Sequence, residues 1–145
     1  MKLFFSFLTS LFLSTSVFAD QGISDTEILV GMHTDISGPA SMIGKQSVDG
    51  ANMRFEEFNK KGGAYGRTIK FIVEDHQYTV PRAVQASNKL LRKDKIAFML
   101  GSLGTPMNNA VMTDQLSMNV PNLFPLTAAR SCLLYTSPSP RDGFT

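Results

Sequence analysis

Residues 96–106 read IAFMLGSLGTP, and this stretch decides the fold. Ile96 to Leu100 is a continuous apolar run, typical of a strand that is buried on both faces. A glycine-rich turn follows, and Thr105 with Pro106 then begins a helix, because proline is tolerated in a first helical turn. The stretch therefore predicts a strand–loop–helix unit, from which α/β folds with parallel sheets are built.

The same unit recurs on both sides of this stretch. Apolar runs predict strands at 27–34, 68–75 and 122–124, and a 3.6-residue period predicts helices at 44–61 and 80–91. The apolar stripes of these helices are Val48, Ala51, Phe55 and Phe58 in the first and Val80, Ala83, Val84, Ser87, Leu90 and Leu91 in the second. Thr105 to about Met118 is the third helix. The order β-α-β-α-β-α-β predicts a doubly wound parallel sheet with helices on both faces.

Ligands of such sheets bind beyond the carboxyl ends of the strands, so the loops that follow the strands are the candidate site. In the loop after the third strand, N–H groups at the helix start and the hydroxyls of Ser102 and Thr105 would favour a carboxylate or another anion. Alternatively, Thr105 is an ordinary N-cap that serves its own helix. Spacing alone leaves both interpretations open.

The motifs of several enzyme classes are missing from the sequence. It contains no G-x-G-x-x-G, no Walker A sequence and no G-x-S-x-G nucleophile elbow. Its two histidines, His33 and His76, have no metal-ligand spacing, and Glu74 to His76 is interpreted as a polar strand end and loop. We therefore expect no enzymatic activity, no cofactor and no metal site.

Residues 1–19 have the three parts of a secretory signal peptide. Lys2 is the positive residue, Leu3 to Leu13 is the mostly apolar segment, and Val17 to Ala19 ends in a small residue before Asp20. A membrane anchor is the alternative, but the apolar segment is shorter than the roughly 20 residues that span a bilayer. We expect cleavage after Ala19 and a soluble mature product outside the cytoplasm.

The other end of the chain has an unusual sequence. Cys132 to Asp142 resembles one translated frame of a transposase adapter used in sequencing libraries, although a genuine Pro/Ser-rich flexible tail is the alternative. We expect 132–145 to be an artefactual tail that contains the chain's only cysteine. Residues 20–131 are then a fragment of a longer protein.

The charge of residues 20–131 excludes a nucleic-acid footprint. Removing Lys2 and Arg141 from the 14 Lys and Arg leaves 12, and removing Asp142 from the 12 Asp and Glu leaves 11. A net charge of +1, with both signs interspersed, is not a basic patch.

Glu27 to Arg130 resembles the N-terminal lobe of type I periplasmic binding proteins of the leucine/isoleucine/valine-binding class. The order and spacing of short pieces carry the resemblance: Ile28–Gly31 with Ser37–Pro39, Gly44 with Asp49–Ala51, Asn59–Gly63 with Gly66–Arg67, Glu74–Asp75, Pro81–Ala83 with Asn88–Leu90, Gly101 with Thr105–Pro106, and Val120–Pro121 with Pro125–Thr127.

The resemblance implies the solute-binding component of an ABC uptake transporter, monomeric when full length. Such a protein closes two lobes around an amino acid or a related small amide or carboxylate and presents it to a permease in the inner membrane. It also implies the ligand-binding residues: Met42 and Ile43 as a side-chain wall, and Ser102, Gly104, Thr105, Leu126, Thr127 and Ala128 around the carboxylate.

The sequence departs from the family pattern at several of these positions. Ile43 stands where an aromatic wall is common, Leu126 and Ala128 stand where small and hydroxyl residues are typical, and Gln77 and Gly104 replace a disulfide. The identity of the solute therefore stays open. With one lobe, we expect this polypeptide to bind solute weakly or not at all. A sensory-receptor ectodomain with the same fold is the alternative function.

Overall fold

The computed structural model describes residues 21–129. The predicted signal peptide and the predicted artefactual tail lie outside these residues. The described residues form four strands and three helices, with one π-helical turn, in this order: β1 Glu27–Thr34, α1 Ser41–Lys60, β2 Thr68–Asp75, α2 Val80–Asn88, the π-helical turn Lys89–Lys93, β3 Phe98–Leu100, α3 Thr105–Ser117 and β4 Asn122–Leu123.

The four strands form one parallel sheet in the order β2-β1-β3-β4. β1 pairs with β2 along its whole length, from Glu27 opposite Thr68 to Thr34 opposite Asp75. Its other edge pairs with β3, and β3 pairs with β4. The chain first moves outward from β1 to β2 and then crosses back to β3, which is the doubly wound arrangement that the sequence predicts.

Helices cover both faces of the sheet. Two consecutive residues of β2 show this, because successive side chains of a strand point to opposite faces. The ring of Phe71 packs edge-on against Phe55 of α1 at a centroid distance of 5.2 Å. Ile72 packs on the other face, against the cluster that contains Leu90 and Leu91.

The main hydrophobic core lies between the sheet and the α2 side. It consists of five buried side chains, which are Leu90, Leu91, Ile96, Met99 and Val120. The π-helical turn gives this core two adjacent leucines, since both Leu90 and Leu91 are fully buried. Full burial of such side chains contributes about 1.5–3 kcal/mol each. No helix within residues 21–129 is long and apolar enough to span a membrane.

The structure corrects three details of the predicted elements. α1 begins at Ser41 and not at Gly44, because the carboxylate of Asp35 accepts the N–H groups of Gly38 and Ala40 and so orders the approach to the helix. Gly44 lies in the first turn, where an added Cβ would be 1.8 Å from the Asp35 carbonyl oxygen. Only glycine fits this contact.

The second correction concerns the buried face of α2. Val80 and Val84 were expected to be buried, yet each is more than one third exposed, while Ala86 is buried. Third, β3 begins at Phe98 and not at Ile96. The Ile96 N–H instead donates to the Leu90 carbonyl, which ties the start of the predicted strand to the π-helical turn.

Candidate functional site

The loops that follow the strands meet at the carboxyl edge of the sheet, as the sequence predicts. The N–H of Leu103, after β3, donates to the carbonyl of His33 in β1 at 3.2 Å. Leu103 also forms a parallel bridge with Leu126, in the loop after β4. These contacts extend the sheet beyond β3 and β4 and hold the two loops in register.

Six of the eight predicted site residues form one hydrogen-bonded group in these two loops. The Gly104 N–H donates to the Leu126 carbonyl at 3.0 Å, and the Leu126 N–H donates to the Ser102 carbonyl at 2.9 Å. The hydroxyl oxygens of Thr105 and Thr127 are 2.9 Å apart. Finally, the Ala128 N–H donates to the Thr105 hydroxyl at 3.2 Å. The backbone amides of Gly104 and Ala128 are thus already used within the protein.

The Thr105 hydroxyl does not cap its own helix, so the N-cap interpretation is wrong. Gly104 is the N-cap residue of α3, with φ of 98°, and no side chain caps the helix. The Asn108 side chain supports the loop by donating to the carbonyls of Ser102 and Gly104. Its own oxygen accepts from the Asn122 side chain at 3.1 Å. This buried amide pair keeps the Thr105 hydroxyl directed to the neighbouring loop.

Three predicted site residues do not contact the Thr105–Thr127 hydroxyl pair. These are Ser102, Met42 and Ile43. The Ser102 side chain is fully buried, and its hydroxyl has no hydrogen-bond partner among the described residues. Met42 and Ile43 lie in the first turn of α1 and are 72% and 51% exposed. They give the α1 side of this edge an apolar surface, and their role towards a ligand stays a prediction.

Two residues of the loop after β2 belong to this edge, although the sequence analysis named neither of them as a site residue. An added Cβ at Gly104 would lie 3.3 Å from Cε2 of Tyr78, so the Tyr78 ring lies against the start of α3. Tyr78 and Gln77 have positive φ values of 54° and 49°. Non-glycine residues seldom adopt this conformation, and no sequence pattern signals it here. An aromatic residue in a strand-end loop was the available hint.

A buried pair of histidines lies next to these loops. The rings of His33 and His76 are fully buried, with centroids 5.5 Å apart. Burial, reinforced by the charge of the neighbouring His76, lowers the pKa of His33 to about 3. Burial also lowers the pKa of His76, although the Leu103 carbonyl and the carboxylates of Asp35 and Asp75 act in the opposite direction. Both rings are therefore neutral at neutral pH.

Asp75 organises the loop after β1. Its carboxylate accepts the N–H groups of Ile36 at 2.9 Å and Gln77 at 3.0 Å, and the Ser37 hydroxyl at 2.5 Å. Burial acts to raise the pKa of Asp75, but these hydrogen bonds outweigh it and hold the pKa below its ordinary value. Asp75 therefore acts as an acceptor for loop backbone at neutral pH.

The remaining charged groups and cavities of residues 21–129 lie away from the predicted site residues. Within residues 21–129 no group of three or more His, Cys, Asp or Glu side chains is arranged to hold a metal ion. Glu74 instead forms an ion pair with Lys89. A cavity of about 190 Å³ lies beside this pair, and a second of about 390 Å³ is lined by Gln21, Leu29 and Lys95 among others. No predicted site residue lines either cavity.

A protein-family model described as "Periplasmic binding protein" matches residues 27–139. The match covers most of the chain, which therefore belongs to this family. The similar proteins place it among type I members of the leucine/isoleucine/valine-binding class, so the resemblance drawn from the sequence is confirmed.

Three similar proteins illustrate the relationship. The Leu/Ile/Val-binding protein BraC3 of Rhizobium johnstonii is 30% identical over 94 residues, which are 65% of this chain and 25% of that protein. The fatty acid ABC transporter substrate-binding protein of Thermomonospora curvata is 31% identical, with a TM-score of 0.64 over 75% of this chain and 27% of that one.

The third is the branched-chain amino acid transporter substrate-binding protein LivJ of Streptococcus pneumoniae, solved in complex with isoleucine. It gives a TM-score of 0.71 over 77% of this chain and 33% of that one, and at 20% identity it shows the shared fold. The chain spans about a quarter of the length of the curated relatives that it matches.

Proposed function

We propose that this chain is part of the solute-binding component of an ABC uptake transporter and captures an amino acid or a related small carboxylate or amide in the periplasm. The observation that carries the proposal is the Thr105–Thr127 hydroxyl pair at the carboxyl edge of the sheet, in a member of the periplasmic binding protein family. Ligands of doubly wound sheets bind at this edge.

The hydrogen-bond count of the hydroxyl pair favours a carboxylate. Each hydroxyl oxygen accepts one backbone N–H, from Ala128 at Thr105 and from Ala129 at Thr127. The two hydroxyls carry two hydrogens, and the bond between them uses one, whichever residue donates it. One O–H therefore remains to be donated outward, next to the positive end of the α3 dipole, where an anion is favoured.

The names of the similar proteins point to the same chemistry. One relative is named for leucine, isoleucine and valine, one solved structure for isoleucine and another for fatty acids. These molecules share a carboxylate and an apolar body. In this chain Thr105 and Thr127 would receive the carboxylate, with Gly104 and Ala128 setting the backbone around it. Met42 and Ile43, with Leu126 opposite, would face the apolar body.

The proposal extends to the rest of the protein. Residues 1–19 would direct export and be removed, residues 20–131 would form the N-terminal lobe, and residues 132–145 would be an artefactual tail. The intact protein would be a monomer that delivers solute to a membrane permease. It would act without a cofactor and without catalysing a reaction.

Sequencing the source DNA across codons 126–145 is the first test. We expect the reading frame of the intact locus to depart from the present sequence near Cys132 and to continue through a second α/β lobe. A membrane span followed by a signalling domain would favour the sensory-receptor alternative. A genuine Cys132–Thr145 segment followed by a stop codon would overturn capture by a closing cleft.

Isothermal titration of the protein from the intact locus is the second test, with L-leucine and L-isoleucine as probes. We expect binding by the wild type and at least about tenfold weaker binding by Thr105→Val, because a hydrogen bond to a charged group contributes about 1.5–3 kcal/mol. Thr113→Val, an exposed change on the same helix, is the control. Equal affinities for both variants would refute the assigned role of Thr105.

A further inference from the structure

His76 connects the loop after β2 to the loop after β3 through its two ring nitrogens. Its Nε2 is 3.0 Å from the Leu103 carbonyl oxygen. Its Nδ1 accepts the N–H of Tyr78, also at 3.0 Å. The Leu103 N–H meanwhile donates to the His33 carbonyl. Leu103 is thus held on one side by β1 and on the other by the His76 ring.

These contacts fix the protonation state of the ring. Nδ1 faces an N–H donor and must carry a lone pair, while Nε2 faces a carbonyl and must carry the hydrogen. The hydrogen-bond network therefore assigns the neutral Nε2–H tautomer. A proton added at Nδ1 would point at the Tyr78 N–H, so the charged ring cannot keep both contacts.

The loop that His76 holds reaches the proposed solute site directly. Tyr78 adopts a left-handed backbone conformation with φ of 54°, which a bulky residue keeps only when its surroundings enforce it. Its ring lies against Gly104, whose N–H bonds to Leu126. Releasing the Tyr78 N–H would therefore loosen the residue that packs beside Gly104, the N-cap residue of α3.

We propose that His76 is the positioning residue of the solute site, and that its protonation releases Tyr78 and weakens solute capture in acid. The part of this inference that concerns solute rests on the function proposed above. The part that concerns the loops rests on the geometry of His76 alone.

The groups around His76 determine the pH at which its ring becomes protonated. Burial favours the neutral ring, while the Leu103 carbonyl and the carboxylates of Asp35 and Asp75 favour the charged one. The His33 ring, 5.5 Å away, stays uncharged in this range because its own pKa is lowered to about 3. Both carboxylates already accept backbone N–H groups, Asp75 from Ile36 and Gln77 and Asp35 from Gly38. The Tyr78 ring, with its centroid 6.3 Å away, is the remaining titratable neighbour. The net effect lowers the pKa of His76, so the release occurs below pH 6.5.

Nuclear magnetic resonance of the ¹⁵N-labelled chain tests the geometry without any solute. At neutral pH we expect a bare Nδ1 and a protonated Nε2 at His76, and the opposite tautomer would overturn the proposal. On acidification the amide signals of Tyr78 and Leu103 should move with the midpoint of the His76 ring. A Tyr78 amide that stays fixed while that ring titrates would also overturn it. The Thr113 amide, on the exposed side of α3, is the internal control.

Two variants separate the two contacts of the ring. His76→Asn places an oxygen where Nδ1 accepts from Tyr78, and His76→Gln places an N–H where Nε2 donates to Leu103. Neither side chain titrates, so the acid response of the Tyr78 amide should vanish in both. His33→Leu removes the other histidine and should retain the response. A response that persists in both His76 variants would contradict the proposal.

The link to solute capture is tested by measuring the affinity of the protein from the intact locus for L-leucine as a function of pH. If only the neutral form binds, the apparent dissociation constant should rise about tenfold for each pH unit below the pKa of His76. His76→Asn should bind with an affinity that is independent of pH over the same range. A wild-type affinity that stays constant while the Tyr78 amide moves would refute the link to capture. Lack of L-leucine binding at every pH would instead count against the proposed solute, and the amide measurements would still decide the role of His76.

Discussion

Thr105 and Thr127 bring their hydroxyl oxygens to 2.9 Å although they are 22 residues apart in the chain. The contact joins the first turn of α3 to the loop after β4. Together with the Ala128 N–H at 3.2 Å, it makes the Thr105 hydroxyl a connection between two loops and not a cap for its own helix.

Thr105→Val should lower the free energy of unfolding by about 1 kcal/mol, since valine keeps the shape but loses the hydrogen bonds to Thr127 and Ala128. Urea denaturation at neutral pH measures this change. Thr113→Val, on the exposed side of the same helix, should change stability by less than about 0.5 kcal/mol. Equal effects at both positions would mean that the hydroxyl pair contributes nothing to stability.

Gly104→Ala should destabilise the protein by about 1–3 kcal/mol, the cost of a strained backbone conformation. At φ of 98° an alanine is strained, and its Cβ would lie 2.2 Å from Cε of Met107. Gly50→Ala is the matched control, because an added Cβ there meets nothing within 4 Å. That change lies inside α1 and should stabilise the protein by about 0.5–1 kcal/mol. Thermal denaturation measures the melting temperature of both variants, which should fall for Gly104→Ala and rise for Gly50→Ala. Shifts in the same direction would contradict the prediction.

Asp75→Asn should lower the free energy of unfolding by about 1.5 kcal/mol, the lower end of the range for hydrogen bonds to a charged group. Asparagine keeps one acceptor oxygen but has an NH₂ group in place of the other. In the wild type that other oxygen accepts from the Ser37 hydroxyl. Asp49→Asn, on the exposed surface of α1, is the control and should be nearly neutral. Chemical denaturation at neutral pH measures both changes. Equal stability of Asp75→Asn and the wild type would show that the loop does not depend on this carboxylate.

Stability should fall as the solution is acidified below pH 6.5, the ordinary pKa of histidine. The folded protein holds both histidines neutral, whereas the unfolded chain protonates them below that value. The stabilisation is therefore complete above pH 6.5 and is lost as pH falls towards the folded-state pKa, about 3 for His33. Each histidine contributes a slope of up to about 1.4 kcal/mol per pH unit.

Urea titrations across this pH range measure the slope. His33→Met replaces the ring with an apolar side chain and should make the slope shallower, while leaving the part that belongs to His76. A slope unchanged in that variant would show that His33 does not carry the predicted linkage.

Much of the fold could be predicted because local patterns agree with the tertiary structure. β1 and β2 have the predicted bounds, since β1 contains a short apolar run, β2 places Ile69, Phe71 and Val73 at alternate positions, and both strands end in polar residues. The predicted start of α1 was wrong because the actual start is determined by Asp35, whose side chain accepts the N–H groups of Gly38 and Ala40. Apolar periodicity carries no information about such contacts.

The candidate site was predictable as a set of loops but not as a set of contacts. Parallel strands place their following loops at one edge, so the two loops and the Thr105 hydroxyl could be named from position, whereas Thr127 was named through the family resemblance. Their mutual hydrogen bond and the roles of His76 and Tyr78 depend on the positive φ at Tyr78 and on complete burial of the His76 ring. Neither property follows from residue type or spacing.

The strand that is synthesised first, β1, lies between β2 and β3 in the finished sheet. Its hydrogen bonds with β3 join Val30 to Phe98 and Gly31 to Met99, so they cannot form until most of the described chain has emerged from the ribosome. Contacts between residues so distant in sequence make folding slow. Because β1 must wait for β3, the sheet of the described residues is completed only late in synthesis.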